Sequence, residues 1–594
     1  MSGTSSRRTE SEEAVKKTDE VARTRALVAV ARGDEPADTV LRGGQVVDVF
    51  TGEIRHADVA IKDGLVAGVG SYDSGKEVVD VSGQYVAPGF IEGHIHLESS
   101  MLAPAEFCRL ALVHGTTAVV ADPHEIANVL GLKGVRYMLK ATAGLPMDVF
   151  FLAPSCVPST DLETSGAKVS ASDICEMLGW DRVLGLAEMM NYPGVVFGDP
   201  AVHEKLAAAR DRLKDGHAPA LVDRWLQAYA ATRIGSDHES VGRDEAREKL
   251  RAGLRLMVRE GSAARNLAGL LPVVNEFNQR RCCFVTDDKH PDELLHEGHL
   301  DATLRKAVAQ GMHPAAAIQM VTLNPAEYFG LSWRGAVAPG WSADLVVLND
   351  LGRFGVKRVL KAGRTVAKDG TSVTRLKPAK DQGVLDTVDP GKLTLERFRI
   401  KARGETCRVI RLVPDQIVTE QRVAQPRVEK GYVEADPERD VLKLAVLERH
   451  KGSGRTGLGL VSGFGLRHGA LGATVCHDSH NIIIVGTNDQ DMLVAARELK
   501  KMGGGYVAAV RGKVAARLPL PIAGLMSDKP AEEVAADMKQ LLAKAHVWGC
   551  RLANPFISLS FLALPVIPEL KLTDFGLVDV SRFKVIDLFA SPSE

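Results

Sequence analysis

The sequence predicts an α/β protein: a (β/α)8 barrel inserted in a small β-sandwich and followed by a C-terminal α+β domain. Three observations carry this. Between about Phe90 and Leu331, short apolar runs alternate with helical stretches, the pattern of parallel strands joined by helices. Two groups of short alternating strands flank that segment, one before it and one after. Past about Thr371 the composition turns polar and proline-containing, and a separate mixture of strands and helices follows. At 594 residues the chain is too long for one core, so several domains are expected.

Residues 1–37 read as an N-terminal tail, frayed or weakly helical, because up to about Arg25 it is mostly Ser, Thr, Glu, Lys and Arg. It offers no signal peptide. Residues 38–88 form the first part of the sandwich: TVLRGGQVVDV, HADVAIKDGLVAGVG and KEVVDVSGQYVAPG are divided by Gly43-Gly44, Asp63-Gly64 and Ser82-Gly83. Residues 335–375, with GAVAPGWSADLVVLND and VKRVLKAGRTVAKDG, form the second part. Neither group is large enough for a core alone, so one sandwich assembled from both ends is expected.

Residues 89–334 are the barrel. Its strands are GFIEGHIH, TTAVVADPH, DVFFLAPSC, RVLGLAE, LKDGH, TRIGSDH, LRLMVREGS and CCFVTDD, of which LKDGH is the weakest. Residues 376–392, RLKPAKDQGVLDTVDPG with the residue before them, read as a linker. Residues 393–594 are the α+β domain, with strands such as NIIIVGT and helices such as PAEEVAADMKQLLAKAH.

Composition excludes several classes. The 74 basic and 75 acidic residues balance, which argues against a nucleic-acid surface. No apolar run approaches the roughly 20 residues of a membrane span. The eight cysteines are scattered without a CxxC pair, as expected of reduced thiols in a cytoplasmic protein.

The chemistry lies in His94 and His96 (GHIHLESS), Glu188 (LGLAEMM), His217 (KDGHAP), His238 (GSDHES) and Asp287 (FVTDDKH). Each follows a short apolar run, and barrel strands end on one face, where sites lie. Alternate strand residues share a face, so His94 and His96 can bind one metal together. A carboxylate ending the apolar strand RVLGLAE is costly unless paired or metal-bound, and Glu188 can bridge two cations. Four imidazoles and two carboxylates are the ligands of a two-metal hydrolytic site suited to Mn²⁺ or Fe²⁺, with Zn²⁺ as an alternative. Asp287 is preferred over its neighbour Asp288 because it follows the barrel-directed residues in the alternation of its strand.

Glu98, Asp122 and His124 are candidates to orient imidazoles or contact substrate. For Glu125, helix capping is at least as good a reading. In the C-terminal domain, GLRHGALGATVCHDSHN gathers Arg467, His468, His477, Asp478 and His480 in a glycine-rich setting, so His477 and His480 are candidate site residues, with a solvated loop or a separate metal site as the rival reading. Three other signals are set aside. His96-Leu97-Glu98 lacks the PCxxC of the cytidine-deaminase zinc site. The GxGxxG of Gly452 to Gly457 has no helix after it and reads as a hairpin turn. Val241 to Glu260, rich in Arg and Glu, reads as a solvated helix face.

The strings GHIHLESSML, VVADPHEIANVLG, GLAEMMNYPGV, DGHAP, SDHES, TDDKHPDELLHEGHLD, TLNPAEYFG and HDSHN together resemble the bacterial adenine deaminase family of the amidohydrolase superfamily, from about residue 38 to the C-terminus. Many binuclear amidohydrolases bridge their metals with a carboxylated lysine on the fourth strand; this chain has Glu188 there. The resemblance implies hydrolytic deamination of adenine to hypoxanthine and ammonia. It implies a hydroxide shared by two divalent cations attacking C6, with Glu188 as the bridge and Asp287 as proton acceptor and donor. Adenine is then the partner, without nucleic acid or membrane, and a homo-oligomer is left open. The rival readings are a dihydroorotase-like hydrolase of a cyclic amide and a catalytically inactive metal-binding scaffold.

Overall fold

The computed structural model describes residues 19–413 and 416–590. The tail expected over residues 1–37 lies outside the described residues as far as residue 18. From 19 to 31 the chain is helical. That helix is docked: Leu27 and Val30 pack with Val40, Ala60 and Ala67, and Tyr72 Oη donates to the Ala31 carbonyl at 2.9 Å. Two apolar side chains on one face anchor it, a pattern too sparse to register as periodicity.

Strands β1 (Ala37–Val47), β2 (Ile54–Lys62) and β3 (Leu65–Gly70) form an antiparallel meander. β1 also pairs in parallel with β4 (Gly75–Asp80) through its first half and with β5 (Tyr85–Pro88) through its second. The change of partner falls near a bulge between Leu41 and Gly44, where Gly43 takes φ 77°.

Eight parallel strands follow: β6 (Phe90–Ile95), β7 (Thr116–Ala121), β8 (Asp148–Ala153), β9 (Val183–Met189), β10 (Leu213–Gly216), β11 (Ser236–Asp237), β12 (Arg255–Arg259) and β13 (Cys282–Val285). β6 to β10 form one parallel sheet and β11 to β13 another. The two meet at both edges. Gly235 N donates to the Lys214 carbonyl at 2.9 Å, and Ile95 and Asp287 form a parallel bridge between the first and last strands. The eight strands therefore run in a ring.

Their side chains alternate between two cores, as the period of a strand requires. Ile91, Val120, Leu152, Ala187, Met257 and Cys283 pack inside the ring. Their neighbours Phe90, Val119, Phe151, Leu186, Leu256 and Phe284 pack outward in a separate cluster with helical residues such as Phe107 and Leu304. With both faces covered, the strands read as near-continuous apolar runs.

After the ring, β14 (Leu345–Leu348), β15 (Val356–Lys361), β16 (Arg364–Lys368) and β17 (Thr371–Ser372) return to the first sheet, β14 pairing antiparallel with β5. The resulting nine-stranded sheet closes over Leu41, Val59, Val66, Leu345 and Leu360. Residues 376–392 are largely irregular but anchored: Ala523 N donates to the Val384 carbonyl at 2.7 Å and Asp389 N to the Arg449 carbonyl at 2.8 Å.

The C-terminal region carries an eight-stranded sheet. The helix Asp489–Lys501 covers it through Met492, Ala496 and Leu499 against Ile482, Ile484 and Val507. This region is tied to the ring. Ala103 N donates to the Ser527 carbonyl at 3.1 Å, Asn481 Nδ2 to the Thr164 carbonyl at 2.8 Å, and Thr164 N to Asp574 at 2.8 Å.

Candidate active site

Every strand-end residue singled out from the sequence comes to one end of the ring. His94 lies in β6 and His96 just past it; Glu188 is in β9; His217 and His238 directly follow β10 and β11; Asp287 is two residues beyond β13. All are buried.

Glu188 sits at the centre, and its two oxygens face different imidazoles. Oε1 is 3.3 Å from His96 Nε2 and 4.0 Å from His94 Nε2. Oε2 is 2.6 Å from His217 Nδ1 and 3.2 Å from His238 Nε2. Asp287 Oδ1 lies 3.1 Å from His96 Nε2 and 3.9 Å from His94 Nε2.

The donor set fits divalent cations. Donor atoms of His94, His96 and Asp287 fall within 4.8 Å of one another, as do those of His94, Glu188 and His238. Ligands at about 2.0–2.2 Å from one ion span about that much. Among the described residues, His94 Nε2, His217 Nε2 and His238 Nδ1 are buried without a hydrogen-bond partner. The protonation states agree. Burial would raise the Glu188 carboxyl, yet His217 and His238 hold it well below the usual carboxylate range. Burial would lower His96, yet Asp287 and Glu188 hold it well above the usual imidazole value. Protons on these imidazoles stand where a cation would balance the carboxylates, and metal binding displaces such protons.

A second layer orients this centre. His94 Nδ1 meets Asp215 Oδ2 at 3.2 Å, and His96 Nδ1 meets the Asp122 carbonyl at 3.1 Å, which turns both Nε2 atoms inward. Asp287 takes φ 61°. The Asp287 N–H donates to the His94 carbonyl at 3.0 Å, and the His96 N–H donates to the Asp287 carbonyl at 3.2 Å. Strand alternation is therefore not what selects Asp287 over Asp288: β13 has ended at Val285, and a left-handed turn aims the side chain. Arg259 donates to Asp287 and to Glu239. Against burial, Arg259 and then His96 keep the Asp287 carboxyl well below its ordinary value. Burial and the adjacent Asp287 push Asp288 up, and Asp288 Oδ1 has no hydrogen-bond partner among the described residues.

The cavity above the centre is lined by His96, His124, Glu188, Arg259 and Asp288 from the ring. The C-terminal region adds Ile417, His477, Asp478, Phe561, Leu564 and Ile567. Glu125 points into this cavity rather than capping its helix, its oxygens facing His477 Nδ1 at 2.9 Å and His480 Nε2. Cys476 N donates to His480 Nδ1 at 3.2 Å, so the ring proton sits on Nε2, toward Glu125. Glu125, His477 and His480 thus form a buried carboxylate–imidazole cluster whose candidate ligand atoms lie within 4.8 Å of one another. Burial holds His480 down at about 4, while Glu125 raises His477 to about 9 against burial.

The remaining candidates sit outside the cavity. Asp122 receives the His124 N–H and meets His124 Nδ1, both at 3.1 Å. Glu98 Oε1 accepts from Ile126 N at 3.1 Å, which supports the helix His124–Leu130. Arg467 pairs with exposed Glu438 instead of facing the centre.

Sequence reasoning missed Asp215, Glu239 and Arg259. Arg259 is the sharpest miss, since Val241 to Glu260 reads as a solvated helix face. Only Arg243–Arg251 is that helix; residues 255–259 are β12, and Arg259 is 6% exposed. A charged residue ending the apolar run LRLMV is the signal that found Glu188, and it was available here too.

Residues 85–366 match the amidohydrolase family, and residues 416–584 match the adenine deaminase C-terminal domain. The chain is 49% identical over 567 residues to an adenine deaminase of Desulfatibacillum aliphaticivorans, covering 95% of this chain and 99% of that one. It is 47% identical over 561 residues to adenine deaminase 2 of Carboxydothermus hydrogenoformans, covering 94% and 98%. It is 48% identical over 567 residues to an adenine deaminase of Methanothrix thermoacetophila, covering 95% and 99%.

Proposed function

The chain belongs to the adenine deaminase family of the amidohydrolases, and from that premise we propose that it hydrolyses adenine to hypoxanthine and ammonia. The observation that carries the reading is the division of Glu188, whose two oxygens face separate pairs of imidazoles at the strand ends. The ring of strands is read as a (β/α)8 barrel inserted in a β-sandwich (38–88 and 335–375), with the α+β domain of 393–594 covering its mouth.

His94, His96 and Asp287 would hold one divalent cation, His217 and His238 the other, and Glu188 both. Mixed nitrogen and oxygen ligation suits Mn²⁺ or Fe²⁺, with Zn²⁺ also accommodated. When bound, such a pair makes water acidic enough to be a nucleophile near neutral pH.

The chain's own residues do the rest. Asp287 is kept ionised by Arg259 and is placed to accept the proton of the attacking water. Two protons of the water move: Asp287 passes the first to the ring nitrogen N1 as the bond from C6 to oxygen forms, then carries the remaining hydroxyl proton to the amino nitrogen as the bond from C6 to nitrogen breaks and ammonia leaves. Asp215 and the Asp122 carbonyl hold the imidazoles in place. Phe561, Leu564 and Ile567 keep bulk water from the reacting edge. The reading includes a cytoplasmic location with adenine as the small-molecule partner. Among the described residues no helix is long and apolar enough to cross a membrane.

The test is ammonia release from adenine by the purified protein, with dihydroorotate in parallel. Release from adenine alone supports the proposal. Turnover of dihydroorotate alone would replace it with cyclic-amide hydrolysis, and inactivity of metal-replete protein on both would leave a metal-binding scaffold.

A further inference from the structure

The cavity keeps one polar atom of the C-terminal domain without a partner. Asp478 is 2% exposed and lines the cavity wall. Its Oδ1 lies 3.8 Å from His477 Nδ1 and 4.0 Å from His124 Nε2. Its Oδ2 has no hydrogen-bond partner among the described residues. A buried carboxylate oxygen left unsatisfied is costly, and this one lines the cavity, so a bound ligand can supply the partner it lacks.

Position says which part of the ligand. His124 Nδ1 is 3.5 Å from Glu188 Oε1, so one imidazole separates Asp478 from the bridging carboxylate. A purine with C6 at the metal end therefore presents its far edge to Asp478. Beside Asp478 the C-terminal region contributes apolar Ile417, Phe561, Leu564 and Ile567, and the Phe561 ring stacks on His477 at 4.4 Å and 15°. Those side chains take the faces of a flat ring, and of the polar groups on the C-terminal side of the cavity Asp478 is the one with an oxygen unpartnered among the described residues. Away from its amino group, 9H-adenine has a single N–H, at N9; N3 and N7 are acceptors, which a carboxylate repels. A nucleoside carries sugar carbon in place of that hydrogen.

We propose that Asp478 accepts the N9–H of a free purine base and so sets specificity against N9-substituted purines and nucleosides; this rests on the adenine reading above. A site built to bond an N–H rejects the analogue lacking it by about 10⁴–10⁵-fold, because its own polar group is left unpaired.

The test compares kcat/KM for ammonia release from adenine and from 9-methyladenine, in the metal-loaded native protein, Asp478→Ala and Asp478→Asn. Competition by purine and by 9-methylpurine reads binding without turnover. The native protein should favour adenine by about 10⁴-fold or more. Asp478→Ala should bring that preference within about 10²-fold, mainly by losing activity on adenine, and weaken purine more than 9-methylpurine as a competitor. Asp478→Asn keeps the shape and an acceptor, and should fall between the two; it serves if Asp478→Ala does not fold. Native protein that uses both substrates within tenfold overturns the inference, as does an unchanged preference in Asp478→Ala or, if that does not fold, in Asp478→Asn. Native protein that releases no ammonia from adenine, yet binds purine in preference to 9-methylpurine, overturns the functional reading and leaves the role of Asp478 standing.

Discussion

Replacing Asp287 with Asn removes one charge from the centre and alters almost no shape. The contacts that fix the local backbone, from Asp287 N to the His94 carbonyl and from His96 N to the Asp287 carbonyl, are untouched. What is lost is the carboxylate 3.1 Å from His96 Nε2, which is also one of the two carboxylates Arg259 donates to. Proton transfer by a positioned base contributes about 10²–10⁴-fold, which corresponds to about 3–5 kcal/mol of barrier. Loss of a metal ligand adds to this, so kcat/KM for ammonia release should fall by at least about 10³-fold. The thermal midpoint should stay close to that of the native protein. Asp288→Asn, measured beside it, should retain far more activity, because Asp288 faces the cavity and meets none of the imidazoles of the centre. Near-native turnover by Asp287→Asn with an inactive Asp288→Asn would refute the assignment and exchange the two roles.

Asp215→Ala frees the His94 ring and should weaken metal affinity by about 10–100-fold, the usual effect of losing an orienting partner; unchanged affinity in a metal titration contradicts that role. His477→Ala should lower adenine turnover by about 10–100-fold while metal content stays native, since it removes a partner of Glu125 and part of the cavity wall. Full activity would show that the C-terminal domain does not shape the site. Lys571 is buried, among the described residues it donates only to the Ile417 carbonyl, and burial lowers its amine to about 7. Unfolded lysine keeps its proton up to about pH 10.4, so the unfolded state binds more protons above pH 7 and stability rises with pH from there to about 10, by at most about 1.4 kcal/mol per pH unit. Lys571→Met should flatten that slope in denaturant titrations, and equal slopes would count against it.

Much of this fold was legible because strands buried on both faces must be apolar throughout. The runs TTAVVA and CCFV announce β7 and β13 directly. β11 is only Ser236–Asp237, much shorter than the run TRIGSDH that announces it. The six strand-end residues were readable because a charged or imidazole side chain ending an apolar run is costly to bury unless a cation or an opposite charge meets it there. Asp215 and Glu125 were not, since their importance lies in partners far away in sequence: Asp215 meets His94 across 121 positions, and Glu125 meets His477 and His480 from another domain. Arg259 was hidden although LRLMVREGS reads as a strand, because its end also falls in the charged stretch Val241 to Glu260 that reads as a solvated face. The helix 19–31 docks through only two apolar side chains among the described residues, Leu27 and Val30, too few for a periodicity argument.

The central claim is that Glu188 joins two cations held by His94, His96 and Asp287 on one side and His217 and His238 on the other. Anomalous scattering from crystals of the metal-replete protein, with metal content measured on the same sample, tests it most directly. The account predicts about two metals per chain, with one peak beside each Glu188 oxygen, as two-metal hydrolytic sites hold them. A single peak, or none next to Glu188 in protein that still deaminates adenine, would contradict it.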